Sequence, residues 1–340
     1  MAEVERDKTT NLKLIKPKEE EFYNIQDFNS NFDKIDEAVG NNTSQLKDCA
    51  KNISQLSNSN LLINGYFINS VNQRNMKTYE WKNGGLYTLD RWHLAYGGNI
   101  TLNDEGVIFD TQSSPNVSCE LRQVIENSKY YIRGKDVTLS LKYKVSYVYS
   151  GETCGQLAFY SRLTGSSSRV ENLNFDGQWH TITFTAKEDL LSNDDGTKES
   201  IFIIRAKNIK IELEWAKLEI GSIATPFIPR LYGEKLALCQ RYCYKTPYQK
   251  VIRASYITAD LIGFDISLPV DMRVSPTLLG NANSDYFISS FNGGTHLDGF
   301  SFSVVKTGSG IAIIANKKSH GLNDANFVIT PTSGLDAEIY

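Results

Sequence analysis

The run Ile209-Lys-Ile211-Glu-Leu213-Glu-Trp215 alternates apolar and charged side chains. That period of two commits it to a strand with one buried face. Gly221-Ser222 and the Pro226/Pro229 pair then end regular structure and stiffen the chain. After Gly233 the period changes. Leu236, Leu238, Cys239, Tyr242 and Cys243 recur at helical spacing on one broad face. A strand therefore closes one β module, a stiff connector follows, and a short helix acting as a hinge hands the chain to a second module.

Short, regularly spaced runs fill the rest. LLINGYFINS, LYTLDRWHLAYGG, NITLNDEGVIFD, CELRQVI, KDVTLSLKYKVSYVY, GQLAFYSRL, WHTITFTAKE and ESIFIIRAK all read as strands between turn signals, with no helical pattern between them. That is the picture of an antiparallel sandwich or jelly roll. Asn83-Gly84-Gly85, Gly97-Gly98 and Asp194-Asp195-Gly196 supply turn residues that accept positive φ. Beyond the helix, ADLIGFDISLPVDMRVSPTLL, SDYFISSF, GFSFSVVKT, GIAIIANKK, FVITPT and LDAEIY form a second, smaller β region. Pro269 and Pro276 bracket one of its strands, which places that strand at an edge or bulge. The chain ends within a strand.

The N-terminal part differs. Residues 1–22 are polar, with an acidic run at Glu19-Glu20-Glu21, and read as an extended segment that orders when docked. A heptad repeat follows. Ile25, Phe32, Val39, Leu46 and Ile53 occupy position a; Phe28, Ile35, Asn42, Cys49 and Leu56 occupy d. Asn24 is placed to cap the helix, with Asp27 in the first turn. Gly40-Asn41-Asn42 weakens the middle, so the repeat forms one helix or two. A polar outer face and a strict 3.5 repeat favour self-association over packing on the chain's own domain. Phe at both a and d favours a trimer over a dimer, with Asn42 setting register.

The expected architecture is mainly β. A segment over 1–22 anchors, a helical trimeric coiled coil spans 23–59, and a jelly-roll β-sandwich spans 60–230. A connector helix (231–247) and a smaller C-terminal β-sandwich tip (248–340) complete it.

Bulk properties exclude several functions. The net charge is −3, so the chain has no electrostatic case for nucleic acid or an anionic membrane. No run approaches the roughly 20 apolar residues of a membrane span, and the charged start shows no signal-peptide core. The five cysteines include no CxxC pair, and Cys239 and Cys243, four apart on the expected helix, are poorly placed for a disulfide. They read as free thiols in a protein made in the cytoplasm, with no metal and no cofactor.

Catalytic signatures are missing too. His93, His180, His296 and His320 are isolated, and no HExxH, GxSxG or phosphate-binding loop occurs. Glycosidases need only two carboxylates roughly 5–10 Å apart, and no particular pair stands out. The expectation is a non-enzyme. Among the candidate sugar-stacking residues Trp81, Trp92, Trp179 and Trp215, Trp179 and Trp215 lie in or beside strands and read as core. Trp81, beside a turn, is the tryptophan expected at the surface.

In the tip, Tyr286, Phe291, His296 and Asp298 lie close in sequence around Gly293-Gly294, and Asn316, Lys317 and His320 mark a second polar loop. Loops on a rigid sandwich are where binding residues concentrate; for any single residue an ordinary solvated turn is the simpler reading. Seven Lys/Arg against eight Asp/Glu from Tyr244 onward give no charge-driven recognition. The Asn193-Asp194-Asp195-Gly196 turn offers only part of the 6–8 oxygen ligands calcium takes, and reads as solvated.

LLINGYF, YTLDRWHLAYG and WAKLEIGSIATPFIPRLYGEKLALCQRYCYKT together resemble bacteriophage tail-fibre and receptor-binding proteins, including those of phage-tail-like bacteriocins. In these a pattern of NGxF, DRW, KLExGxxATPF and CQRY encloses a jelly roll like a carbohydrate-binding module. SLPVDMRVSPTLL resembles the first strand of the tip domain that follows, and TTNLKLIKPKEEEFYNIQDFNSNFDKID the virion-proximal start of such fibres. The resemblance implies a homotrimeric, non-enzymatic virion adhesin. Its N-terminus would dock on a tail baseplate protein and its C-terminal domains on a host glycan or surface protein. A tail-borne glycan depolymerase and a purely structural baseplate spacer are the rivals.

Overall fold

In the computed structural model the described residues are 7–18, 24–55, 57–132, 134–160, 167–187, 199–246, 248–290, 296–308 and 310–338. The chain divides into two compact units, Met1–Asn58 and Ser59–Tyr340.

In the first unit the heptad segment is a single helix, α1 (Ile25–Gln55), continuous through Gly40-Asn41-Asn42. Nothing crowds Gly40, and tolerating a glycine there costs about 1 kcal/mol relative to alanine. The Asn24 side-chain oxygen accepts from the Gln26 amide at 3.0 Å, which satisfies one orphan donor of the first turn. Phe32, Val39 and Leu46 are 54, 57 and 70% exposed, and Ile25, Phe28 and Ile35 are exposed as well. Leu56 and the Ile53 side chain lie outside the described residues.

The segment ahead of α1 is not simply extended. Residues 8–15 close a tight hairpin, with a bridge between Lys8 and Ile15 and the Thr9 amide on the Leu14 carbonyl. The Asn31 side chain, in the second turn of α1, both accepts from the Ile15 amide (2.8 Å) and donates to its carbonyl (2.9 Å). A backbone with both groups satisfied by one amide folds back onto the helix instead of trailing.

The second unit is mainly β. Among its described residues the first body holds β1 (Thr78–Glu80), β2 (Leu86–Tyr87), β3 (His93–Ala95), β4 (Asn99–Asn103), β5 (Gly106–Asp110) and β6 (Cys119–Val124). After the single-turn α2 (Ser128–Tyr131) come β7 (Asp136–Val148), β8 (Cys154–Tyr160) and β9 (Ser167–Asn172). β10 (His180–Lys187), β11 (Ile201–Lys207) and β12 (Ile209–Ile220) complete it. They form two antiparallel sheets, β1-β4-β5-β12-β7-β10 and β2-β3-β6-β11-β8-β9. The alternation sends Leu139, Leu141, Ile211 and Leu213 from one sheet and Leu121, Leu157, Phe202 and Ile204 from the other into one core around Trp92.

LLINGYF is not a strand. Asn64 takes a left-handed conformation at φ 60° and is buried. Its side chain donates to the Val71 and Asp90 carbonyls and accepts from the Val71 amide, so it replaces the hydrogen bonds a ladder would have made. DRW likewise interrupts its strand: Arg91 sits at φ 73°, and the Trp92 indole donates to the Asn64 carbonyl at 2.9 Å.

The ATPF stretch is held by a buried ion pair. Lys217 and Glu219 lie 3.1 Å apart, both excluded from solvent. The Lys217 ammonium donates to the Thr225 carbonyl and hydroxyl and the Pro226 carbonyl. Glu219 accepts from the Thr225 amide and hydroxyl. Arg230 then donates to the Leu62 and Asn60 carbonyls, tying the end of this body to its start. The residues that carry the fibre resemblance therefore hold the fold together.

His93 gives this sheet an acid-sensitive point. Burial and the neighbouring Arg122 guanidinium push its imidazole down to about 4, and its Nδ1 accepts from Arg122 Nε at 3.3 Å. A depressed folded-state value contributes stability above the unfolded value, near 6.5, that is lost as pH falls toward 4. The His93 contribution is expected to fall by up to about 1.4 kcal/mol per pH unit across that window, so His93→Gln should make the profile there flatter than that of the parent in urea titrations.

The connector helix, α3, spans Tyr232–Gln240. It ends before Cys243, which begins β13 (Cys243–Tyr244), so Cys239 and Cys243 do not share a helical face as the spacing suggested. Both are buried free thiols. The second body continues with β14 (Lys250–Arg253), β15 (Tyr256–Ile257), β16 (Leu261–Ile266), β17 (Thr277–Leu279), β18 (Tyr286–Ser289) and β19 (His296–Leu297). It closes with β20 (Ser301–Thr307), β21 (Gly310–Asn316), β22 (Asn326–Ile329) and β23 (Gly334–Asp336). Its sheets, β13-β23-β17, β14-β22-β18-β19 and β15-β16-β21-β20, share a core around Phe264, Ile288, Ile313 and Phe327.

No strand lies between Pro269 and Pro276. That stretch crosses between sheets, with Met272 buried and the Arg273 guanidinium on the Ala337 and Glu338 carbonyls.

The joint between the two β bodies is not a hinge. Arg91, buried, pairs with the buried carboxylate of Glu338 and donates to the Val124 carbonyl at 2.8 Å. Its guanidinium lies 3.6 Å over the Tyr242 ring. Arg74 pairs with buried Asp90 at 3.0 Å and approaches Glu338 at 3.7 Å. Gln73 joins the Asp90 carboxylate to the Cys243 carbonyl, and Arg241 and Tyr242 both reach Glu126. Burial raises the Asp90 carboxyl to about 6 against the opposing pull of Arg74.

Candidate functional site

Two loops of the tip converge. β21 ends at Asn316, and the turn after it is held by the β15–β16 hairpin. The Lys317 amide donates to the Asp260 carbonyl (3.0 Å), the Ser319 amide to the Asp260 carboxylate (2.7 Å), and the His320 amide to the Ala259 carbonyl (3.3 Å). The Lys317 ammonium then crosses to the Asp298 carbonyl at 2.7 Å and lies 5.2 Å from the Phe300 ring centroid. The Asp298 carboxylate faces His296 Nε2 at 3.5 Å, while the His296 ring packs on Phe287 at 4.4 Å. The His320 ring lies 6.1 Å from Phe300, and its Nδ1 accepts from the Leu322 amide.

His296, Asp298, Lys317 and His320 thus form one polar cluster, with Asn316 at its edge. It mixes an ammonium, a carboxylate and two imidazoles around a largely buried phenyl ring. That set hydrogen-bonds a polar ligand, while its phenyl ring, Phe300, is too buried to stack on one. His320 Nε2 is buried and has no hydrogen-bond partner among the described residues.

Other expected residues lie elsewhere. Tyr286 packs its ring on Phe302 (5.2 Å) and Phe327 (6.1 Å), inside the tip core and away from this cluster. Its sequence proximity to Asp298 misled because successive residues of β18 face opposite sides: Phe287 packs on His296, while Tyr286 turns to the core. Phe291 lies outside the described residues, as does the Asn193–Gly196 turn. Trp81 is half-buried against the core of the first body, and its indole nitrogen is buried without a partner among the described residues. It is not the surface tryptophan.

That position belongs to Trp179, 39% exposed instead of core. The Lys142 and Lys144 ammoniums lie 5.9 and 5.3 Å from its ring, each also paired to a glutamate across the sheet (Glu214, 2.7 Å; Glu212, 2.6 Å). Trp215 is half-buried and stacks on Phe227 at 4.8 Å with the rings 7° apart. Trp92 is fully buried, as a structural residue should be.

An exposed aromatic in the tip, Tyr256, went unnoticed in the sequence. Its ring lies across Gly263, directly opposite it in the β15–β16 pair, where any side chain would collide. A Tyr facing a Gly across a short hairpin was the available signal.

Among the described residues no group of three His, Cys, Asp or Glu side chains is arranged to hold a metal ion. No described helix is long and apolar enough to cross a membrane.

No protein-family model and no curated protein matches this sequence. The solved structures it is similar to include carbohydrate-binding modules and a phage baseplate component. A family 4 carbohydrate-binding module is 17% identical, with a TM-score of 0.30 over 46% of this chain and 98% of its own. The xylan-binding CBM22-1 domain of Xyn10C from Paenibacillus barcinonensis is 11% identical, with a TM-score of 0.27 over 49% of this chain and 98% of its own. The BppUct-A-L tripod from the baseplate of bacteriophage Tuc2009 is 15% identical, with a TM-score of 0.26 over 81% of this chain and 95% of its own. Scores of this size decide nothing about function, which has to be argued from the residues.

Proposed function

We propose that this protein is a homotrimeric receptor-binding fibre of a phage or phage-tail-like particle. It attaches the particle to a bacterial surface without enzymatic action. The supporting observation is α1. Phe32, Val39 and Leu46, with Ile25, Phe28 and Ile35, expose large apolar side chains along a/d positions of a 31-residue helix. An apolar seam at 3.5-residue spacing is what other copies of the same helix bury. The hairpin at residues 8–15 docks through Asn31, at the g position beside that seam, and the a/d side chains Phe28, Phe32 and Ile35 remain exposed for assembly. In this reading the hairpin travels with the helical bundle and supplies the surface that a baseplate protein grips.

Attachment is the role of the tip. Three copies of the His296–Asp298–Lys317–His320 cluster, carried on one trimer, bind a surface glycan or protein with avidity, since the second and third contacts are intramolecular. The buried carboxylates Asp90, Glu219 and Glu338 are all engaged by cationic or hydrogen-bonding partners that hold the fold, which favours a binder over a hydrolase.

Lys317→Ala combined with His296→Ala, at surface positions, is expected to leave thermal stability unchanged within about 0.5 kcal/mol. Binding of the full chain to host cells should weaken roughly tenfold or more, read by flow cytometry with labelled protein. Unaltered cell binding would move the receptor site away from this cluster. Release of reducing sugar from host cell-wall polysaccharide would identify a depolymerase instead.

A further inference from the structure

The first β body carries a recess that no part of the attachment reading uses. It lies where β7 ends and the β5–β6 loop and β11–β12 turn meet, lined by Gln112, Pro115, Tyr147, Tyr149, Ser150 and Asn208, with a volume of about 370 Å³. That is within the usual range of small-ligand sites.

Its aromatic wall depends on a bulge. In a regular strand Lys144 and Tyr147 would face opposite sides. Between β7 and β12, however, Val145 pairs with Ile211 and Tyr147 with Lys210, so Ser146 is the extra residue. The bulge turns Tyr147 to the outer face of the sheet, where it is 58% exposed. Tyr149, two residues on, brings its ring centroid within 4.8 Å of the Tyr147 centroid, the planes tilted by 50°. The Tyr149 hydroxyl donates to the Asp110 carboxylate at 2.9 Å, which locks that ring.

The recess is preformed. Buried Asn208 accepts from the Asn116 amide at 3.0 Å and donates to the Asn116 side-chain oxygen and the Glu152 carbonyl. Thr111 and Ile209 are joined through the Thr111 hydroxyl, which both donates and accepts. Gly151, at φ 108°, passes so close to Asn208 that an added Cβ would lie 2.9 Å from its nitrogen. By contrast the side-chain amide of Gln112 and the hydroxyls of Ser150 and Tyr147 make no hydrogen bond among the described residues.

Charge narrows the ligand. Asp110 is neutralised by Lys210 at 3.1 Å, and Lys207 is paired with Glu152 at 2.6 Å. No uncompensated charge lines the recess, so neither an acidic nor a basic ligand is favoured. We infer that the recess binds a neutral pyranose unit of a polysaccharide. The Tyr147 and Tyr149 rings lie against its C–H face, and the Gln112, Ser150 and Tyr147 polar groups take its hydroxyls. Only the biological setting of this site rests on the attachment reading; sugar binding in solution requires neither trimers nor the tip.

The test uses the full chain and saturation-transfer NMR with calorimetry. The probes are soluble neutral oligosaccharides of glucose, galactose, mannose, xylose, rhamnose and N-acetylglucosamine, with a uronic acid oligomer and a proline-rich peptide as counter-probes. At least one neutral oligosaccharide should bind, and Tyr147→Ala and Gln112→Ala should each weaken it, the former roughly tenfold or more. Tyr248→Ala, at an exposed position of the second body with no part in either site, should leave it unchanged. Tyr147 is largely exposed, so the variant keeps its melting temperature; if it did not, Gln112→Ala alone would decide. The inference is overturned if no neutral oligosaccharide binds, if only the acidic oligomer or the peptide binds, or if binding survives both substitutions. A monomeric protein that binds sugar would sink the fibre reading and leave this site standing. A trimer that binds cells but no neutral sugar would do the reverse.

Discussion

Replacing Glu338 by alanine is expected to destabilise the protein by about 3–5 kcal/mol. The cause is the charge it leaves behind. Arg91 is buried, pairs with Glu338 through both its guanidinium and its backbone amide, and stacks on Tyr242. Removing the carboxylate strands a guanidinium in a low-dielectric site, with only the Val124 carbonyl to accept from it. Removing both charges should cost much less. Arg91→Met with Glu338→Leu is expected to lie within about 2 kcal/mol of the parent, because an apolar pair of similar volume needs no desolvation. Denaturant titration of parent, single and double variants checks this. Equal losses in the single and double variants would show that packing at the joint, and not the charge pair, carries the effect.

The second large effect falls on assembly. Phe32→Asp with Ile35→Asp puts two carboxylates per chain into the proposed a/d seam, where a trimer would bring six together. Burying even one unpaired carboxylate costs several kcal/mol, so trimers and cell binding should be lost together. The β bodies, with cores of their own, should keep their melting transition. Trimers that persist in this variant would locate the assembly contacts in the β modules.

Much of the fold was legible because β7, β10 and β12 fall within runs that alternate, and β11 within a short apolar run bounded by polar residues. The failures share a cause. Asn64 and Arg91 bend their segments through left-handed backbone and buried side-chain hydrogen bonds, and neither feature leaves a trace in periodicity. The rigid joint was missed for the same reason. Its partners, Arg91 and Glu338, are 247 residues apart, and charged residues in sequence read as solvated. The tip cluster was partly legible, since Lys317 and His320 follow a strand end where loops gather. Tyr286 was not separable from it, because strand parity within the SDYFISSF run does not say which aromatic turns inward. The Tyr147–Tyr149 pair depended on a bulge, and a one-residue insertion in register cannot be seen without the partner strand.

Multivalency is the centre of this account, and the mass of the full chain in solution tests it most directly. Light scattering over a range of concentrations should give three times the chain mass of 38.2 kDa, held on dilution. A monomer across that range would contradict the account. The exposed face of α1 would then have some other occupant, and a single-site carbohydrate module would become the better description of the protein.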